Sequence, residues 1–119
     1  MSDEFIKIAT VEINEEIQAI STILKSCKGN DDVYQNSKDL QSHTHKIKGL
    51  APMMGQEGLG AICSTLDAIL KKIIDGKKFE GIFDVLSEAL PHMENSMSQS
   101  NYDMDGISEK ITNFSSNLK

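Results

Sequence analysis

Tryptophan is absent from this chain of 119 residues, and aromatic rings are confined to two tyrosines and four phenylalanines. A core short of rings must be built from Ile, Leu, Met and Ala, which suits helix packing better than sheet packing. The two cysteines, Cys27 and Cys63, lie far apart in sequence at apolar helical positions. There is no Cys-x-x-Cys and no paired Cys/His spacing, so neither a disulfide framework nor a zinc site is expected, and both thiols read as reduced core residues. No dense basic run offsets a formal net charge of -6, which argues against nucleic acid as a partner. No apolar stretch approaches membrane-spanning length. The opening Met1-Ser2-Asp3-Glu4 is acidic and lacks a signal-peptide pattern, so a soluble, cytoplasmic protein is the expectation.

Strand-like alternation is missing too. Apolar residues recur instead at three- and four-residue steps, the mark of helices. The first helix is expected from about Asp3 to Cys27, with Phe5, Ile8, Ile13, Ile17, Ile20, Leu24 and Cys27 inward and Ser2 as its cap. The turn Gly29-Asn30-Asp31-Asp32 leads into a second helix from about Asp32 to Met54. Its inward positions are Val33, Ser37, Leu40, Thr44, Ile47, Ala51 and Met54, and Pro52 should bend it. The third helix runs to about Asp75, with Leu59, Ile62, Cys63, Leu66, Ile69, Leu70 and Ile73 inward. The fourth covers about Phe79 to Met97, with Phe79, Phe83, Leu86, Leu90, Met93 and Met97 in register and Pro91 kinking or shortening it. A last helix, about Asp105 to Leu118, carries Ile107, Ile111, Phe114 and Leu118. Short connections favour antiparallel neighbours. The expected fold is therefore all-α and a single domain over residues 1–119. Its core is an up-and-down antiparallel four-helix bundle at about 3–97, with an accessory C-terminal helix at about 105–118.

The chemistry gathers in Ser42-His43-Thr44-His45-Lys46-Ile47-Lys48-Gly49-Leu50-Ala51. Each helical step turns about 100°. With the core direction set by Val33, Leu40, Thr44, Ile47 and Ala51, His45 points outward beside Gln41, Lys48, Gly49 and Pro52. His43 falls on the other flank, toward Leu50 and Met54, and with His92 it reads as non-functional. One helix face thus holds a nucleophile, a cation beside it and a bare spot where another surface can approach. That combination suits a histidine that receives and passes on a phosphoryl group. On the third helix, Gly60, Ser64, Asp67 and Lys71 form one stripe beside the apolar face, which could face the edge of the second helix that carries His45. The eight glycines are scattered, so no phosphate-cradling loop is present.

The pattern resembles the histidine-phosphotransfer domain, whose signature is His-x-x-Lys-Gly followed by small residues, and above all the N-terminal phosphotransfer domains of chemotaxis histidine kinases. The residues that carry it are His45, Lys48, Gly49, Ala51 and Gly55, continued by Leu59, Ser64, Leu66, Asp67 and Leu70. It spans about Leu40 to Lys72. The resemblance implies a phosphohistidine carrier in a two-component relay, with His45 attacking phosphorus through Nε2. The donor would be ATP held by a histidine kinase catalytic domain, in cis or in trans, or the phospho-aspartate of a response-regulator receiver domain. Lys48 would offset phosphoryl charge, and Gly49 would let the partner's backbone come close. No cofactor is implied in this domain: ATP and Mg would be bound by the partner kinase, and Mg by the partner receiver. On its own such a domain is a phosphotransfer intermediate without an ATP site. Within a longer chain it would be the kinase's substrate domain, which the natural-looking start and the early position of the histidine modestly favour.

Three positions depart from the family pattern. Asp67 stands where the family has the glutamate that accepts a hydrogen bond from Nδ1. It is one methylene shorter, so contact requires a closer helix pair or a bridging water. Ser64 replaces a histidine, and Ser42 a basic residue. Two other readings compete. One is a non-catalytic helical interaction module docking through Leu50 and Met53. The other is a metal site on His43, His45 and His92, although residues two apart on a helix diverge.

Overall fold

The computed structural model describes residues 2–117, in which seven backbone segments are helical and no strand occurs. They are α1 (Asp3–Ser26), α2 (Asn30–Gln35), α3 (Ser37–Leu50), a 3-10 turn (Pro52–Met54), α4 (Glu57–Ile74), α5 (Ile82–Ser98) and α6 (Asp105–Asn117). No described helix is long and apolar enough to cross a membrane. Leu118, expected on the last stripe, lies outside the described residues.

Local signals set most boundaries. Ser2 accepts a hydrogen bond from the Phe5 amide at 3.1 Å, and Asp3 and Glu4 occupy the positive end of α1. The second expected helix is divided, however. Asn36 leaves helical geometry, and its side-chain amide donates to the Asp32 carbonyl at 2.8 Å, a local bond that competes with the helical ladder. At the far end Pro52 does not bend a continuing helix. Lacking an N–H, it ends α3 at Leu50 and opens the 3-10 turn, which closes on Gly55 at φ +79°. The start also moves, from Asp32 to Asn30. The Asn30 side chain accepts from the Phe83 amide at 2.9 Å and so caps α5 across the fold. Correspondingly α5 begins at Ile82, leaving Phe79 buried before it against Phe114. It then runs unbroken through Pro91.

Helix α1 packs on α3 and α5, α4 packs on α3 and α6, and α5 also meets α2 and α6. Met104, Ile107 and Ile111 thereby join the same core as Ile13, Leu40 and Leu66. Two expected stripes need correction. Ile8 is 61% exposed, because it lies five residues before Ile13 and the core place falls to Ala9. On α5 the inward line runs through Ile82, Val85, Leu86, Ala89 and Met93, which puts Phe83, Leu90 and Met97 on its half-buried flank. Both cysteines are free and buried.

His43 fastens α3 to α1: its Nδ1 meets Glu16 Oε1 at 2.6 Å, and Lys46 approaches the other oxygen of that carboxylate at 3.7 Å. Replacing His43 with Ala removes a half-buried, charge-assisted bond. We expect it to lower unfolding stability by about 1–2 kcal/mol, read by urea denaturation. His92 is likewise engaged, sharing a 2.7 Å hydrogen bond with the Tyr102 hydroxyl.

Candidate functional site

Helices α3 and α4 run antiparallel, as two contacts show. His45 stands opposite Asp67, and seven residues further along the chain Pro52, in the 3-10 turn that follows α3, stands opposite Gly60, seven residues earlier on α4. The approach at that second point is close. A Cβ on Gly60 would lie 2.7 Å from the Pro52 ring, and a fused ring gives way less readily than the end of a flexible side chain. Gly60 therefore lets the turn that follows α3 seat closely on α4.

Asp67 is the buried anchor of the site, with 1% of its surface exposed. An unpaired carboxylate would be costly there. Three donors meet it. Gln41 Nε2 donates to Oδ1 at 2.6 Å, while the Lys71 and Lys48 ammonium groups approach Oδ2 at 3.3 and 3.5 Å. Burial by itself pushes this carboxyl's pKa up. The hydrogen bonds from Gln41 and Lys71 and the charges of Lys71 and Lys48 outweigh that and hold it below the ordinary carboxylate value. Asp67 is thus an anion at neutral pH. One turn earlier, burial first and then the Asp67 charge push the Cys63 thiol pKa far up, so that sulfur is no nucleophile.

His45 rises from this anchor into solvent, its side chain 59% exposed. Nδ1 faces Asp67 Oδ1 at 3.6 Å. That is an electrostatic contact, and a closure of about 0.6 Å makes it a hydrogen bond. Nδ1 being on the edge turned to the carboxylate, Nε2 lies on the opposite edge of the ring. Lys48 is one turn on, and Gly49 is exposed, with no atom within 4 Å of where its Cβ would be. The fold itself has no steric need of glycine at that position.

The six residues singled out from sequence are therefore not equal. His45, Lys48, Asp67 and Gln41 come together. Gly49 adjoins them on the surface, and Ser64, half-buried one turn before Asp67, is not among the groups that meet the carboxylate. Lys71 was placed on the stripe but not in the site. Its i,i+4 spacing from Asp67 was the available signal. Two ammonium groups against one carboxylate leave a positive surplus beside His45 on a chain whose net charge is -6. Surface clefts occur between Gly55–Leu59 and Gln99–Asp105, along α1, and around Lys28–Asp32, all lined by residues other than His45. No cluster of three or more His, Cys, Asp or Glu that would hold a metal ion occurs among the described residues. Comparison with protein-family models, with curated proteins and with solved structures finds no match.

The two glycines make opposite predictions. Gly49→Ala should raise stability by roughly 0.5–1 kcal/mol, since it adds helix propensity into open space. Gly60→Ala should lower it by about 1 kcal/mol, because the clash with Pro52 exceeds the same propensity gain. Thermal melts of the two variants beside wild type check both.

Proposed function

We propose that this chain is a phosphohistidine carrier of the histidine-phosphotransfer kind. In this reading α1, α3, α4 and α5 form the four-helix bundle, and α6 is the additional C-terminal helix. The observation that carries the proposal is a solvent-exposed imidazole whose Nδ1 edge is turned to a buried, anionic carboxylate, with a lysine one turn away.

The neutral ring keeps its proton on Nδ1, next to Asp67, so the Nε2 lone pair is free. That pair forms a bond to phosphorus while the bond from phosphorus to the donor oxygen breaks, and the leaving oxygen keeps its electrons. The ring acquires positive charge, which Asp67 offsets, and Lys48 offsets charge on the phosphoryl oxygens. Onward transfer reverses these roles toward an acceptor carboxylate. His45 stands on an open surface rather than within a cleft, so donor and acceptor are presented by partner proteins: a kinase catalytic domain and a response-regulator receiver domain, in the cytoplasm. Gly49 leaves room for the partner's backbone.

Incubation with a small phosphoryl donor, phosphoramidate, tests the reading without a partner. The expected product is one phosphate per chain, labile in acid and stable in base. A chain that takes up no such phosphate refutes it. A second reading, a docking module without chemistry, draws on Met53, which is 52% exposed near the site. Under that reading partner binding survives His45→Gln and is lost in Met53→Glu.

A further inference from the structure

The geometry points to Lys71 as a second phosphoryl-binding cation beside His45, reaching the site from α4 as Lys48 reaches it from α3; this rests on the phosphocarrier reading. Lys48 lies one turn beyond His45 toward the C-terminus of α3. Lys71 lies one turn beyond Asp67 toward the C-terminus of α4. Because the two helices are antiparallel, the backbone positions of the two lysines lie on opposite sides of the His45–Asp67 level, and their ammonium groups reach back to it from either side to meet at Asp67 Oδ2.

An intrahelical i,i+4 pair accounts for Lys71 meeting Asp67. It does not account for Lys48 arriving from the neighbouring helix at the same oxygen. Both ammonium groups converge on Oδ2, at 3.3 and 3.5 Å, while the imidazole and the Gln41 amide take Oδ1. Two like charges crowded on one carboxylate oxygen are an arrangement that an arriving anion relieves. The Lys71 side chain is 53% exposed and that of Lys48 40%, and each ammonium swings on a flexible four-carbon stem. A phosphoryl group on Nε2 brings two negative charges to the imidazole beside them. Each lysine then exchanges a shared carboxylate oxygen for a phosphoryl oxygen of its own. Asp67 is left to face the positively charged ring. The other charged group nearby, Glu16 on α1, is held by His43 and Lys46 and does not compete for these cations.

The test uses the whole chain and phosphoramidate, with two readouts. Lys71→Gln is expected to slow phosphorylation of His45 about five- to tenfold, Lys71→Arg to recover most of that rate, and Lys72→Gln, one position along on the exposed surface, to match wild type. In wild-type protein the Lys71 ammonium 15N–1H signal is expected to move on phosphorylation while that of Lys72 stays in place, a response that a merely structural ion pair to Asp67 does not give. A Lys71 signal that stays in place, or a Lys71→Gln rate equal to that of Lys72→Gln, overturns this inference and leaves the phosphocarrier reading standing. Absence of phosphate on His45 in the wild type overturns both.

Discussion

His45→Gln abolishes phosphate uptake. Glutamine preserves much of the imidazole's bulk and can still donate a hydrogen bond toward Asp67, so the site keeps its shape. Its amide nitrogen lacks a free lone pair, and the attack on phosphorus is lost. The rate should drop about 100-fold or more, to the level of uncatalysed labelling. Folding should hardly change, because a substitution at an exposed position away from the core falls within roughly 0.5 kcal/mol. His43 and His92 remain in this variant and make the comparison decisive. Both rings are already engaged, with Glu16 and with Tyr102. Mass spectrometry of base-quenched protein reads the result. Undiminished phosphate in the variant would remove the assignment of His45.

Asp67→Asn has the second largest effect, and it appears in two measurements. The phosphorylation rate should fall about 10–100-fold, because asparagine no longer offsets the charge that the ring acquires and its NH2 opposes the Nδ1 proton. The loss is held below that of a triad aspartate by the 3.6 Å separation in the resting protein. Stability changes as well, and with a definite pH dependence. The folded-state pKa of Asp67 is depressed, so its contribution is complete above the unfolded-state value and is lost as pH falls through the folded value. Wild type should therefore exceed Asp67→Asn in unfolding stability at pH 7, and the gap should close in acid below the ordinary carboxylate range. A gap that stays constant across that range would show that the Asp67 charge does not stabilise the fold.

The apolar register of the second expected helix was legible because period survives interruption. Val33, Ser37, Leu40, Thr44, Ile47 and Ala51 are all buried even though Asn36 divides the helix and Pro52 ends it. The interruptions themselves were not legible. They depend on where side-chain amides find partners: Asn36 on the carbonyl four residues back, and Asn30 on an amide 53 residues away. Ile8 misled for a related reason, since an isoleucine carries hydrophobicity but not direction, and its step to Ile13 is off the helical period.

Linear order was enough to align His45 with Lys48 and Gly49 and to turn them away from the apolar face, since residues on one helix are placed by the repeat of the backbone alone. It put Asp67 on a stripe of the next helix that could face them, and only the resemblance singled that residue out. Tertiary packing alone decided the rest: that Asp67 is buried and ionised, that Gln41 holds one of its oxygens, and that Lys71 joins Lys48 on the other. These relations cross between two helices, where a contact depends on axial offset and separation. One close approach between them that only the fold reveals is the bare backbone of Gly60 against the ring of Pro52 just past α3.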